Sequence, residues 1–323
     1  MKVFVTGGAG YIGSVCVEEV LNAGHEVCVF DNLSEGHRSA VDDRAKFVQG
    51  DLHRLDSVKE VVNSYKPDAA IHFAGKALVG ESMANPYLYY QTNVYGGTNL
   101  LEALVQYGCK RIVFSSTCAT YGVPLNVPID ESNPQHPINP YGHSKLAFEQ
   151  ILRWYQKVHG LAFTALRYFN AAGASVKFGE HHRIETHLIP NVLKVALGQM
   201  EKVFIFGDQY DTPDGTCIRD YIHLIDLASA HIAALDQTES GHFNVGTGNG
   251  YSVMEVIEMC REVTGHAIPA EMMPAREGDP PRLVADPRKI KNELHWSPKH
   301  AGLKEIVTSA WNWHKLNPEG YKD

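Results

Sequence analysis

The run Thr6-Gly7-Gly8-Ala9-Gly10-Tyr11-Ile12-Gly13 decides the fold of this 323-residue chain. It follows an apolar stretch at residues 3–5 and leads into residues 15–21, whose apolar positions have helical spacing. A strand, a glycine turn and a helix in that order build a dinucleotide-binding site. Gly7 permits the tight turn, Gly10 lets the backbone approach a pyrophosphate, and Gly13 lets the helix pack closely on the strand. The pyrophosphate then meets the positive end of the helix. Residues 26–30 read as a second buried strand that ends at Asp31, about 20 residues beyond the glycines. A carboxylate there accepts from both hydroxyls of an adenosine ribose and repels a 2′-phosphate, so NAD is expected rather than NADP. The plainer reading of Asp31 is a strand end.

Beyond this unit the first half alternates. Strands are predicted at 2–6, 26–31, 46–49, 69–73, 111–115 and 163–168, with helices at 14–23, 55–65, 87–107 and 141–159 between them. That alternation calls for an α/β fold: a doubly wound parallel sheet of Rossmann type, covered on both faces, with ligands beyond the carboxyl ends of its strands. After Asn170 the pattern changes to loop at 171–183, a turn-rich segment at 208–216, and helices at 188–197, 226–235, 252–263 and 304–313. The expected division is a cofactor-binding domain over 1–170, to which 217–245 crosses back, and a smaller α/β substrate-binding domain over 171–216 and 246–323.

The composition narrows the functional classes. Hydrophobic residues make up 44% of the chain, and the formal net charge is -8 without a basic run able to grip a phosphate backbone, so nucleic acid is not an expected partner. The N-terminus enters a strand rather than a signal peptide, and no apolar stretch reaches the roughly 18 residues of a membrane span. Six cysteines, Cys16, Cys28, Cys109, Cys118, Cys217 and Cys260, are scattered without a Cys-x-x-Cys pair, the pattern of a reduced cytoplasmic protein.

A second motif, Tyr141-Gly142-His143-Ser144-Lys145, lies on the predicted helix 141–159. Tyr141 and Lys145, four positions apart, share one face. A phenol titrates near pH 10 and is a poor base at neutral pH. A neighbouring ammonium, joined by the positive charge of an oxidised nicotinamide, favours the phenolate and makes it a usable base. Asn139-Pro140 supplies the helix start. Thr117 follows the predicted strand 111–115 in a hydroxyl-rich run, Ser115-Ser116-Thr117-Cys118-Ala119-Thr120, and is placed to bond the substrate oxygen that loses its proton. The alternative is a hydroxyl-rich turn that merely caps the strand. Glu180-His181-His182 with His187 invites a metal reading, but no Cys or His-Glu-x-x-His spacing supports it, and no metal is expected.

These motifs together resemble the extended short-chain dehydrogenase/reductases. Arg167-Tyr168-Phe169-Asn170, Glu185-Thr186-His187-Leu188-Ile189-Pro190, Asp214-Gly215-Thr216-Cys217-Ile218-Arg219-Asp220-Tyr221-Ile222-His223 and Arg276-Glu277-Gly278-Asp279 are similar to the UDP-glucose 4-epimerases within that group. The resemblance runs along essentially the whole chain. It implies an NAD-dependent isomerase that interconverts UDP-glucose and UDP-galactose through a 4-keto sugar, the hydride passing to a retained NAD and returning to the sugar's other face. It also implies a homodimer packed through 87–107 and 141–159.

In that scheme Tyr141 takes the proton of the sugar 4-hydroxyl, Thr117 bonds that oxygen, and Lys145 holds the nicotinamide ribose. The resemblance implies cofactor contacts from Gly7, Gly10, Tyr11, Ile12, Gly13, Asp31, Asn32, Asp51, Leu52, Phe73, Ala74, Gly75, Asn93 and Phe169, besides Tyr141 and Lys145. It implies nucleotide-sugar contacts from Asn170, His187, Leu188, Phe204, Ile205, Phe206, Arg219, Tyr221, Arg276 and Asp279. Arg219 and Arg276 would take the diphosphate, which suits a guanidinium fork, and Asp279 the uridine ribose. Leu283 stands where relatives gate an N-acetyl group, so UDP-N-acetylhexosamines and UDP-pentoses stay open as substrates. A 4,6-dehydratase of this group usually follows its catalytic Thr with Asp-Glu, whereas here Cys118-Ala119 follows.

Overall fold

Strand β1 (Lys2–Thr6) reads Lys-Val-Phe-Val-Thr, with every residue after Lys2 buried. That near-continuous apolar run is what a parallel strand covered on both faces requires. The computed structural model describes residues 1–323 apart from Thr238, Glu277 and Gly278. In it β1 lies inside a seven-stranded sheet with β2 (Glu26–Asp31), β3 (Lys46–Gln49), β4 (Ala69–His72), β5 (Arg111–Thr117), β6 (Ala162–Tyr168) and a last strand, Gly241–Val245. The spatial order is Gly241–Val245, β6, β5, β4, β1, β2, β3, and each neighbouring pair is parallel. The order reverses between β1 and β4, which sets the ligand crevice beyond their carboxyl ends. This is the α/β, doubly wound architecture the sequence predicts. The strand Gly241–Val245 has no counterpart among the predicted strands, because Gly-His-Phe-Asn-Val carries little apolar pattern. It lies within the segment expected to cross back.

Side chains on β1 alternate between two cores. Val3 and Val5 join Val15, Val17 and Val20 of α1 (Tyr11–Asn22) and Leu227 and Leu235 of the helix Leu224–Leu235. Phe4 faces the opposite core, with Val58 and Val62 of α2 (Leu55–Tyr65), Leu100 and Leu104 of the helix Gly97–Gln106, and Phe148 and Leu152 of the helix Pro140–His159. A third core is built by the helices Leu188–Ala196, Val253–Thr264 and Leu303–Leu316, around Ile189, Leu193, Ile257, Ile306 and Trp311. Ser252 and Glu255 close a reciprocal capping box at the start of Val253–Thr264.

The predicted helix 87–107 is a composite. A short α-helix, Pro86–Tyr89, passes into a wider π-helical stretch, Tyr90–Gly96, and then into the α-helix Gly97–Gln106. The wider turns carry Asn93 inward, where it is 3% exposed. Among the described residues, no helix is long and apolar enough to cross a membrane.

Candidate active site

The turn after β1 is a cradle made of backbone. Gly7 has φ +74, and a Cβ there would fall 2.4 Å from the Ala74 amide nitrogen. A Cβ on Gly13 would fall 2.2 Å from the Gly7 carbonyl oxygen. Gly10 differs: the nearest atom to its notional Cβ is that same carbonyl at 3.4 Å, so its outer face is open. Gly10 also starts α1 without a side-chain cap, which leaves the helix's first amides, at Tyr11 and Ile12, free to meet an anion.

The Asp31 carboxylate accepts from the Ala9 amide at 3.0 Å and the Leu33 amide at 2.8 Å. Burial raises its pKa, and those two hydrogen bonds pull it back. Asn32 donates to Asp51 at 3.2 Å, and Leu52 is buried behind them. Across the crevice, the Phe73 and Ala74 amides donate to the Thr6 carbonyl, at 2.9 and 3.0 Å. A Cβ on Gly75 would lie 2.9 Å from Asn93 Oδ1 and 3.5 Å from Lys145 Nζ. An uncapped helix start, an open Gly10 face and a carboxylate beside the turn fit a dinucleotide.

The helix Pro140–His159 begins as the sequence predicts: Asn139 Oδ1 accepts from the Gly142 amide at 2.8 Å, with Pro140 at the first helical position. Asn93 fixes its rotation by donating to Ser144 Oγ at 2.9 Å and to the Lys76 carbonyl at 3.0 Å. Tyr141 is half-buried, and the Thr117 hydroxyl lies beside its phenol. Burial pushes the phenol up to about 12, against the pull of Thr117, and Cys118 adds to the rise. Lys145, 4% exposed, is drawn down to about 8 by burial. Its ammonium donates to the Ser115 carbonyl at 2.9 Å and sits 5.0 Å from the Phe114 ring centroid. The ammonium is thus engaged with the strand end and not with the phenol. In this state Tyr141 is a proton donor, and it needs a further positive charge to serve as a base. Lys76 pairs with Glu35.

Where the nucleotide sugar is expected, the short strands Ile218–Arg219, Tyr251–Ser252 and Arg282–Leu283 form a small sheet, and Val203–Phe206 pairs with Ala270–Met273. Arg219 donates to Asp279 at 2.5 Å, so two of the expected nucleotide contacts meet directly. The Arg276 guanidinium stacks 4.1 Å from the Phe206 ring centroid. Phe204 and Phe206 point outward while Ile205 is buried in the third core. Glu277 and Gly278 of the Arg276–Asp279 motif lie outside the described residues. Asn170 pairs with Tyr221 across two short parallel strands, and Phe169 packs with Cys118, Tyr121 and Leu283. His187 and Leu188 begin the helix Leu188–Ala196.

The chain matches the NAD dependent epimerase/dehydratase family over residues 3–246. It belongs to that family. It is 51% identical to a UDP-glucose 4-epimerase of Halalkalibacterium halodurans, with 99% of this chain and 98% of that one aligned. A crystal structure of a UDP-glucose 4-epimerase superposes with a TM-score of 0.98 at 47% identity, covering 100% of both chains. Another, from Bifidobacterium longum in complex with NAD+ and UDP, superposes with a TM-score of 0.95 at 39% identity, covering 99% of this chain and 100% of the other.

Within this family site, the structure adds residues that the sequence reading leaves unassigned. Tyr141, Lys145 and Glu149 follow each other at intervals of four, along one face of the helix. Glu149 is fully buried and accepts from Arg167 at 2.9 and 2.6 Å and from Ser116 Oγ at 2.5 Å. Arg167 also donates to the Tyr121 hydroxyl at 2.9 Å, which donates to Asn244 at 2.8 Å. This network ties the helix Pro140–His159 to β5, one residue before Thr117, and to β6 and the strand Gly241–Val245. Its traces in the sequence are the fourfold spacing from Lys145 to Glu149 and the Arg167 that opens the Arg167–Asn170 motif. Asp220, beside Arg219, is likewise buried and accepts from Thr247 N and Oγ1, Gly248 N and Ala285 N, at 2.7–3.1 Å. These bonds fasten the residue after Arg219 to the segments at Thr247–Gly248 and Ala285.

Proposed function

We propose that Tyr141 is the acid–base group, Thr117 the hydroxyl that positions the reacting oxygen, and Lys145 the holder of the nicotinamide ribose, in the interconversion of UDP-glucose and UDP-galactose. The chain is an NAD-dependent epimerase. The observation that carries the residue roles is the meeting of Tyr141 and Thr117 at the carboxyl end of β5, with Lys145 one turn away beside Gly75. NAD, when bound, supplies the hydrogen acceptor for the sugar's C4 and, in its oxidised form, the positive charge that the phenol lacks.

The chain's own part is to hold and move one proton and to anchor the nucleotide. Tyr141 takes the proton from the 4-hydroxyl and returns it, while Thr117 keeps that oxygen in line. Arg219, Arg276 and Asp279 grip the nucleoside diphosphate, so the hexose is free to present either face. Asp31 and the open Gly10 turn hold the dinucleotide through the cycle.

The geometry also supports three finer assignments. Residues 1–170 with 217–245 act as the cofactor-binding part, and 171–216 with 246–323 as the nucleotide-sugar part. Met83, Tyr87, Tyr95, Trp154 and Val158 are all more than half exposed along the segments 79–106 and 140–159, which supports a homodimer packed there. Six free, buried cysteines support a reducing, cytoplasmic setting.

A second reading keeps the chemistry and changes the sugar. Leu283 packs against Cys118, Tyr121 and Phe169, next to Thr117, and its size limits what group the sugar can carry at that wall. The test is a panel of UDP-galactose, UDP-N-acetylglucosamine and UDP-xylose, assayed without added NAD. Conversion of UDP-galactose is the expected result. An unchanged UDP-galactose, with NAD present in the protein, overturns the proposal. Light scattering tests the dimer.

A further inference from the structure

Residues 180–187 contain two Glu-x-His units in succession, Glu180-x-His182 and Glu185-x-His187. The structure folds both units onto one point. Each of the four side chains offers an oxygen or ring nitrogen, and these atoms all lie within 4.8 Å of one another. His182 Nε2 is 3.2 Å and His187 Nδ1 3.0 Å from Glu180 Oε1, and His187 Nδ1 is 2.8 Å from Glu185 Oε1. Four ligands held tetrahedrally about 2.0–2.1 Å from a zinc ion are about 3.3 Å apart. Three of the six separations, at 2.8–3.2 Å, are near that edge, and all six fall within 4.8 Å.

The charge points the same way. The Glu180 and Glu185 side chains are 7% and 3% exposed, so water solvates neither well. Besides the two imidazoles of the set, the described neighbour of Glu180 is the Tyr11 phenol, which brings no positive charge. Beyond the set, the described groups that act on this region are His181, Lys194 and His314, none of them hydrogen-bonded to either carboxylate. Two imidazoles with two carboxylates suit zinc and its first-row neighbours, whereas magnesium and calcium favour all-oxygen sites.

We propose that Glu180, His182, Glu185 and His187 form a closed, structural site for one divalent transition-metal ion of the zinc class. The ion clamps this loop beside the dinucleotide turn: the His182 ring meets the Tyr11 ring edge-on at 5.7 Å, and Tyr11 opens α1. On the other side, His187 starts the helix Leu188–Ala196. The site uses none of Thr117, Tyr141 and Lys145, but it takes in His187, one of the nucleotide-sugar contacts that the resemblance implies, so its role is to join the cofactor turn to the nucleotide side. The spacing escapes the sequence reading because that reading weighs His181, which lies outside the set, and leaves out Glu185.

The test uses the full-length protein without a polyhistidine tag, stripped with a chelator, dialysed and titrated with Zn2+ alone. The expected result is saturable binding of about one zinc per chain, with a rise in the thermal midpoint. Co2+ in place of Zn2+ should give the intense visible bands of a tetrahedral ion. His182→Ala and Glu185→Gln should lose both signals, and His181→Ala should keep them. The metal-free melting curve of each variant checks that it folds. The proposal is overturned by less than about a tenth of an equivalent bound in the parent, by octahedral cobalt spectra, or by unchanged binding in folded His182→Ala and Glu185→Gln.

Discussion

The cofactor cradle and the nucleotide side are made of different material. Around the cradle the shape comes from backbone atoms and from absent side chains: Gly7 against Ala74, Gly13 against the Gly7 carbonyl, Gly75 against Asn93. On the nucleotide side the shape comes from long side chains carried by two- to four-residue strands, with Phe204 40% and Phe206 36% exposed and Arg276 stacked on a ring. A backbone wall cannot yield to an added methyl group, because the neighbouring strands would have to move with it. A side-chain wall can repack at small cost. The glycine-lined half is therefore the rigid one, and the half lined by long side chains the adaptable one.

The sharpest way to break this contrast is Gly7→Ala. Its Cβ would sit 2.4 Å from a buried amide nitrogen, at φ +74, where only glycine is comfortable. The expected loss is about 3 kcal/mol or more in stability, with NAD no longer retained on purification. Chemical denaturation and the NAD absorbance of the purified protein check this, and a variant that kept both would show the cradle to be pliant. Glu149→Gln comes next. It leaves the Arg167 guanidinium, 2% exposed, without its countercharge, which costs about 3–5 kcal/mol. The double variant with Arg167→Met should recover part of that loss, and a full double-mutant cycle measures the coupling.

Tyr141→Phe should retain its fold and its NAD and lose roughly 100-fold or more in kcat, the usual scale of a lost general base. Near-normal turnover would refute the role given to that phenol. Its environment also sets a pH expectation. Burial holds the phenol at about 12 when Lys145 is engaged with Ser115. A spectrophotometric titration of NAD-free protein should therefore show Tyr141 protonated throughout the neutral range. The same titration with oxidised NAD bound should place its ionisation lower. Equal values in the two forms would mean that the cofactor's charge does not reach the phenol.

The contrast also explains what could be read from the sequence. Backbone-built features leave strong local marks, since glycine is needed wherever chains approach closely, and buried parallel strands are apolar runs. The bounds of β1, β2 and β3 are those predicted, and the Asn139-Pro140 helix start and the Asp31 strand end follow from local rules. Side-chain constellations leave weaker marks, because their members come from distant segments. Arg219 and Asp279 are 60 positions apart, and only resemblance to a family puts them in one site. The π-helical stretch at Tyr90–Gly96 ends in the pair Gly96-Gly97, which weakens a helix without specifying a wider turn, and its purpose is clear only when Asn93 is seen reaching Lys76 and Ser144. Burial misleads the pKa argument in the same way: a lysine one turn from a tyrosine suggests an acidic phenol, yet the Ser115 carbonyl holds that lysine and the phenol rises.

The smallest expected effects separate the two arginines of the nucleotide side. Arg219 has a side chain 12% exposed, is paired with Asp279 and also donates to the Ile218 carbonyl at 2.9 Å, so its direction is set before any ligand arrives. Lysine at that position keeps the charge but loses the planar fork. Arg219→Lys should therefore raise KM for UDP-galactose by about 10-fold, leaving kcat and NAD content nearly unchanged. Arg276 is exposed and, among the described residues, stacks on the Phe206 ring, so more of its ordering must be done on binding. Arg276→Ala should raise KM by roughly 3- to 10-fold, within the range of a partly solvated contact, and Phe206→Ala should reproduce part of that change by removing the platform. If Arg276→Ala instead costs more than Arg219→Lys, the diphosphate is gripped mainly by Arg276. The nucleotide side would then be organised by closure around its ligand rather than by the Arg219–Asp279 pair.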